Sequence, residues 1–418
     1  MNRSELTRFQ TLSILCGAAV MVSLAMGMRQ SLGLFQPQMM RDIGVTAAQF
    51  SLAIAIQNIV WGVTQPFVGM LADRWGARPV TLAGVATYAA GIGLAIVAQS
   101  AWVLTLGVGI CIGLALSCTA GSIAMSVTSR TVSPATRSVA MGAVAAFGSI
   151  GLVLAAPLAR SLLSSHGWQV ALIAFLGLAA VMLPAAFMAG SADKIEVEAH
   201  GAAQSVGAAV REATAHPGYI VMAIAFFVCG LQLVFLTTHL PTYLEICGMD
   251  PSLSAKALAT IGLFNVGGSY LFGWLGGRYS KRALLGGIYM LRSLFMIAYF
   301  IAPPSPASTL VFAAAMGTLW LGVVPLVSGL VVHLFGLRYM ATLSGIAFFS
   351  HQLGSFVGAY GGGLIYGALG SYEWAWKGSV AIGIVAGLFQ MTMNVRPSAR
   401  VAAERSGAAG LVPSAAAR

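Results

Sequence analysis

Between Phe9 and Met40 the only charged residue is Arg29, which the surrounding apolar run places near the middle of a membrane-spanning stretch. An arginine at that depth costs about 2.5 to 3.5 kcal/mol on insertion scales, so it is retained where it faces a cavity or a partner. Asp42, Glu245, Asp250 and Glu373 all fall in loops or at the ends of apolar runs. Arg29 is therefore left without an intramembrane counter-charge. A guanidinium in that position is a site for an anion, and its planar fork suits a carboxylate.

Histidine offers a second chemistry, because its ordinary pKa of about 6.5 lets it take and give a proton near neutrality. Gln232, His239 and Tyr243 fall at i, i+7 and i+11, one face of a helix. His351 and His333 lie in later apolar runs, and Gln57, Asn58, Trp61 and Gln65 form a polar and aromatic set able to orient a small ligand. The other charge inside an apolar run is Arg292. Cys16, Cys111, Cys118, Cys229 and Cys247 form no CxxC pair, so neither a disulfide framework nor a zinc site is expected. No H-E-x-x-H, GxSxG or P-loop occurs; no enzyme chemistry, no cofactor and no ATP-driven transport is expected.

The elements that must hold these residues follow from composition. Of 418 residues 58% are apolar and 8% charged, with a mean hydropathy of +0.87. An ordinary soluble domain is about 25% charged, and a disordered chain is poor in apolar residues. The apolar runs are far longer than the roughly 10-residue alternating strands of a membrane barrel. The fold class expected is an all-α polytopic membrane protein. Charges and polar breaks divide the chain into twelve spans near residues 11–36, 49–71, 79–98, 102–128, 138–163, 168–190, 218–244, 255–277, 283–302, 307–333, 340–368 and 374–394. The N-terminal run is too long for a signal peptide and lacks an A-x-A-like site, so it is read as a retained first span.

A polar stretch at 191–217 separates two six-helix bundles, residues 1–190 and 218–395, with a tail at 396–418. Counting Lys and Arg by side gives 16 against 4 if both termini are cytoplasmic, the arrangement the positive-inside rule requires. That bias accounts for the net charge of +11, and nucleic-acid binding is not expected. Asn2-Arg3-Ser4 matches a glycosylation acceptor but falls on the expected cytoplasmic side. At one offset of 204 residues Pro37 matches Pro241, Gly44 matches Gly248, Gly69 matches Gly273, Arg74 matches Arg278 and Arg78 matches Arg282. The halves read as a parallel duplication.

After the second span the chain reads Gly69-Met70-Leu71-Ala72-Asp73-Arg74-Trp75-Gly76-Ala77-Arg78. Small residues there let helices approach, Asp73 can meet a helix N-terminus or a cation, and the arginines hold one face. The stretch resembles the G-x-L-A-D-R-x-G-x-[RK] signature of the major facilitator superfamily. The likeness extends over the whole chain through span count, central loop and half-repeat. It implies a cytoplasmic gate of Asp73, Arg74, Arg78, Arg278 and Arg282; in the second half Gly277 replaces the acid, so a second latch is expected to be weaker.

The opening of span five from Arg137 through Gly142, Gly148 and Gly151, and His351-Gln352-Leu353-Gly354 with Gly361 to Gly363 in span eleven, resemble the monocarboxylate transporter and oxalate/formate antiporter branch. Arg29-Gln30-Ser31-Leu32-Gly33-Leu34-Phe35 is similar to the stretch where animal monocarboxylate transporters use a first-span lysine on the substrate carboxylate. The branch's D-x-x-x-R pair of span eight corresponds to Asn265 and Ser269, so its usual proton acid and second arginine are missing. The resemblance further implies that span seven lines the cavity, which favours His239, and that span nine is peripheral, which makes Arg292 a packing or lipid-contacting residue.

The expectation is a secondary active transporter of small organic anions, chiefly monocarboxylates, coupled to protons or a counter-anion, multi-pass in the cell inner membrane and monomeric. Its binding residues are Arg29, Gln57, Asn58, Gln232, His239, Tyr243, Asn265 and His351. The rival is proton-coupled efflux of drug-like or lipophilic compounds, for which Gly148-Ser149-Ile150-Gly151 followed by Pro157 is a distant echo of an antiporter motif. A receptor or scaffold would need a structured extramembrane segment that this chain scarcely offers.

Overall fold

The computed structural model describes residues 6–196, 204–301 and 303–410. Arg3 and Arg418, part of the charge count above, and the Asn2-Arg3-Ser4 triplet lie outside them. So do parts of the expected central loop and tail, at 197–203 and 411–418.

Among the described residues, ten helices are long and apolar enough to cross a membrane. They are α1 (Arg8–Ile43), α2 (Ala47–Trp75), α3 (Ala77–Ile96), α4 (Ala101–Thr131), α5 (Arg137–His166), α6 (Trp168–Lys194), α7 (Pro217–Ile246), α8 (Pro251–Arg278), α9 (Lys281–Ile301) and α10 (Pro306–Phe335). Two more, α11 (Met340–Leu369) and α12 (Glu373–Thr392), stand where the eleventh and twelfth spans are expected. They are less apolar because α11 carries Ser350, His351, Gln352 and a run of glycines, and α12 carries Lys377 and Gln390.

Local signals set the ends. Thr7 with Gln10, and Thr46 with Gln49, form capping boxes at the starts of α1 and α2, satisfying N–H groups that a helix start leaves unpaired. The polar patch at 98–100 divides α3 from α4, and Ser100 accepts from Val103 N–H. Gly76 turns α2 into α3 with φ 95°, a conformation open to glycine. A Cβ there would also stand 2.5 Å from the Asp193 carboxylate, which accepts from Ala77 N–H (2.6 Å) and Arg78 N–H (2.8 Å) and so caps α3.

Packing follows the half-repeat. Within the first half α1 packs on α5 and α6, α3 on α6, and α2 on α4; within the second, α7 packs on α11 and α12, α9 on α12, and α8 on α10. Between halves the principal pairs are α2 with α11 and α5 with α8, each the second helix of one half against the fifth of the other. Residues matched at an offset of 204 play the same part in each half, since Gly69 lies on the Ala341 backbone and Gly273 lies on Gly142. Gly113 and Gly317, also 204 apart, pack on the backbones of Gln57 and Ile261. The close contacts between halves gather at the end that carries the arginine-rich loops.

Two helices are broken at equivalent depth. In α4 a π-helical stretch, Thr105–Cys111, precedes a kink at Ala120, whose ψ is −158°. In α10 the helix ends at Thr318 and resumes at Val323. Backbone released at membrane depth is tolerated where protein groups re-satisfy it or where it lines a cavity, and both conditions hold. Gln57 Nε2 donates to Val108 C=O (2.8 Å) and Gln65 Nε2 to Ser117 C=O (3.0 Å). Asn265 Oδ1 accepts from Leu321 N–H (2.9 Å), while Arg292 Nη2 donates to the carbonyls of Leu319 and Trp320. Trp61 and Gln65 stand 204 residues from Asn265 and Ser269, so the same turns of α2 and α8 service the two breaks.

Candidate functional site

Between the halves lies a cavity of about 100 Å³, walled by α1, α2, α4, α5, α7, α10 and α11. Its lining is mostly apolar, with Met26, Trp61, Met125, Phe226, Val324 and Phe348 prominent and Gln30, Gln65, Ser122, Ser328 and Ser344 as polar points. Both helix breaks open onto it, through Gly121 and Leu321. No charged side chain lines it among the described residues.

Arg29 stands behind the wall. Its guanidinium carbon lies 5.1 Å from the centroid of the Trp61 ring, and Nη2 donates to Asn58 Oδ1. No carboxylate pairs with it among the described residues, and Nε has no hydrogen-bond partner. Trp61 is thus shared: it faces the cavity, meets the Phe348 ring at 4.8 Å in a tilted pair and donates Nε1–H to Gln65 at 3.0 Å.

Of the other residues expected at the site, Asn58 and His351 join Arg29. Gln352 Nε2 donates to Asn58 C=O at 3.1 Å, and its carboxamide meets His351 Nδ1 at 3.2 Å. A polar path therefore runs from α1 through α2 to α11, across the boundary between halves. Asn265 makes a second crossing, donating Nδ2–H to Ser149 on α5 at 2.9 Å. Gln57 is fully buried against α4. Gln232, His239 and Tyr243 share a helical face as expected, but that face looks into the second half rather than the cavity. Gln232 donates to Ser379 C=O (3.1 Å), His239 is held by Tyr372 and Ala359, and Tyr243 packs among Tyr299, Phe300 and Trp376.

The trio of Asp73, Arg74 and Arg78 expected at the gate does not form one cluster. The partner of Asp73 is Arg130 of α4, at 3.0 Å, with the carboxylate side chain fully buried. Asp73 also accepts from Thr342 N–H (2.8 Å), Thr342 Oγ1–H (2.7 Å) and Ala341 N–H (3.4 Å), the first turn of α11. It meets a cation and a helix N-terminus together, and it ties one half to the other. Arg74 is exposed; Arg78 donates to Phe187 C=O and Ser191 Oγ within the first half. Arg278 lies 3.9 Å over the Trp274 ring, and Arg282 donates to Met393 C=O at 3.3 Å. With Gly277 in place of an acid, α5 and α8 meet through Gly142 and Gly273 instead.

Arg292 is fully buried and packs inward, as a packing role requires; its part in the α10 break is not visible in sequence, because the broken turn itself carries no proline. The glycines of spans five and eleven are packing devices: Gly27 and Gly151 bring α1 onto α5, and Gly230, Gly354 and Gly358 bring α7 onto α11.

A duplicated bundle of long apolar helices with a cavity between its halves is the architecture of a membrane transporter. The sequence profile described as Major Facilitator Superfamily matches residues 15–359, and the chain belongs to that superfamily. Its members are transporters and not enzymes. The chain is 24% identical over 349 residues to the uncharacterized MFS-type transporter YcxA of Bacillus subtilis, covering 81% of this chain and 84% of that one. It is 24% identical over 340 residues to an MFS-type transporter of Gibberella moniliformis, covering 80% and 78%. Among solved structures it resembles the E. coli fucose:proton symporter FucP, with TM-score 0.73 at 16% identity over 91% of this chain and 98% of that one. A FucP structure in the outward conformation matches equally, with TM-score 0.73 at 15% identity over 92% and 99%. At these identities the structural likeness speaks for the fold alone.

Proposed function

We propose that this chain is a secondary active transporter of small organic anions, monocarboxylates with an apolar body. Two six-helix units, 1–190 and 218–395, rock about the central cavity, with the 191–217 loop and the 396–418 tail on the cytoplasmic side. The division of Lys and Arg between loops supports cytoplasmic termini, and the reading takes the protein as a monomer of the inner membrane driven by a proton gradient or a counter-anion. The observation that carries the substrate class is Arg29: a guanidinium with no carboxylate partner among the described residues, lying over the ring of the tryptophan that forms the cavity wall. A carboxylate taking one edge of that fork leaves the hydrocarbon part of the substrate against Met26, Met125, Phe226 and Phe348. Asn265 and Ser269 stand where the branch's span-eight acid and arginine are expected, which speaks against coupling by that route.

The test is thermal stabilisation of the detergent-purified protein by phenylpyruvate, benzoate and pyruvate, with benzamide as neutral analogue, on wild type and Arg29→Gln. Ligand at about a hundredfold excess over Kd stabilises by about 2.7 kcal/mol. A shift specific to the carboxylates and lost in Arg29→Gln is expected. The apolar lining favours one rival, efflux of lipophilic compounds; shifts with cationic or neutral lipophiles that ignore Arg29 would select it.

A further inference from the structure

The intramembrane histidines differ in how their ring nitrogens are used. His239 has both engaged, Nδ1 with the Tyr372 hydroxyl at 3.1 Å and Nε2 with the Ala359 carbonyl at 2.9 Å. A carbonyl only accepts, so Nε2 carries the hydrogen, Nδ1 accepts, and the neutral ring is complete. His351 is arranged otherwise. Gln352 gives its amide nitrogen to Asn58 C=O, which turns its carboxamide oxygen toward His351 Nδ1. That oxygen can only accept, so Nδ1 carries the hydrogen and Nε2 presents a lone pair. Among the described residues none hydrogen-bonds to that Nε2, and the residue is half-buried.

The same path leads to the anion site. Asn58, whose carbonyl accepts from Gln352, accepts from Arg29 Nη2 at its side-chain oxygen. Phe348 and Phe226, both on the cavity wall, lie against the imidazole at 5.5 Å and 4.7 Å.

We infer that His351 is the proton-carrying residue of this transporter, its Nε2 binding a proton from water when an organic anion occupies Arg29, and both leaving together on the other side. The inference rests on the anion reading above. The step forms one N–H bond at His351, breaks one O–H bond of a hydronium ion in the solvent and none in the substrate, and moves an anion and a proton with no net charge. The charged groups acting on the imidazole are Arg29 on α1 and Arg292 on α9. The neighbouring turns contribute Phe226 and the Gly230 backbone from α7, Asn58 from α2 and Ser355 from α11 itself. None is a carboxylate. The negative charge that accompanies protonation therefore comes from the substrate, and linkage makes the dependence mutual: the anion favours the proton as much as the proton favours the anion.

The experiment uses the full chain in detergent with phenylpyruvate, whose carboxylate stays ionised from about pH 5.5 to pH 8. Affinity is read from thermal stabilisation across that range, and proton uptake from an indicator dye in weakly buffered solution. Wild type should bind up to about tenfold more tightly for each pH unit lowered and take up about one proton per anion. His351→Gln should bind phenylpyruvate more weakly than wild type at low pH, with a flat pH profile and no proton uptake. Uptake retained in His351→Gln, or a flat profile in wild type, overturns the assignment while leaving the anion site standing. No stabilisation of wild type by phenylpyruvate, or equal stabilisation of Arg29→Gln, overturns both. Should His351→Gln fail to fold, His351→Asn replaces it, and the wild-type profile decides by itself.

Discussion

The Asp73 carboxylate gathers a guanidinium and three donors from α11 around one buried side chain. Removing one partner of a buried pair costs about 3 to 5 kcal/mol, because the other charge is left uncompensated. Arg130→Ala should therefore lower Tm more than Arg74→Ala or Arg78→Ala, whose side chains do not touch Asp73; the reverse order in thermal melts would refute this latch. Thr342→Val keeps the shape and the backbone N–H but deletes the hydroxyl, a loss of about 1.5 to 3 kcal/mol for a hydrogen bond to a charged group. Both variants loosen the contact between halves at the arginine-rich end, which accessibility of a cysteine placed at Gly121 on the cavity wall would report.

At the level of helices, the breaks in α4 and α10 shape the cavity, and each is held by side chains from a neighbour. Arg292 is fully buried and holds two released carbonyls of α10. Arg292→Met retains volume and removes the donors, leaving those carbonyls unpaired at about 1 to 3 kcal/mol for each. Lower Tm is expected, with weaker ligand stabilisation because Leu321 in the break and Val324 just beyond it line the cavity. The glycine contacts carry a second expectation. A Cβ at Gly69 would stand 2.6 Å from the Ala341 carbonyl oxygen, and forced overpacking costs about 1 to 3 kcal/mol. Gly69→Ala should destabilise by that amount, whereas Gly93→Ala, with open space at its Cβ, should leave Tm unchanged or raised.

Across the whole molecule, the helix Val206–Ala215 of the central loop and the C-terminal helix Ala399–Gly410 are clasped together. Arg400 meets Glu212 at 3.3 Å and Glu404 at 2.9 Å and donates to Phe335 C=O at the end of α10. Burial alone would push the Glu212 carboxyl up, but hydrogen bonds from Ser398 and Gln204 and the charge and hydrogen bond of Arg400 outweigh it, holding it below the ordinary 4.5. A carboxyl with a lower pKa folded than unfolded stabilises above its unfolded pKa and loses that contribution as pH falls through the folded value. Wild type should exceed Glu212→Gln in Tm near neutral pH, and the difference should shrink below about pH 4.5. A difference that grows on acidification would contradict the clasp.

Composition and periodicity determined the polytopic helical fold and the half-repeat of this chain, since a lipid solvent demands long apolar helices and leaves charges only where they are used. The Gly69–Arg78 signature carried the family, and the isolation of Arg29 is plain in the charge spacing. Residues far apart in sequence were decided by packing alone. Asp73 was legible as a carboxylate able to meet a cation or a helix N-terminus, but its cation, Arg130, lies 57 positions away and its second partner, Thr342, 269 away, and no spacing rule links them. Gln232 and His239 share a face by helical period, yet period does not say which neighbour that face meets; here it meets α11 and α12. The broken turns at Ala120 and at 319–322 contain no proline, so only the tertiary structure, by supplying Gln57, Gln65, Asn265 and Arg292 to the released backbone, revealed where the helices open.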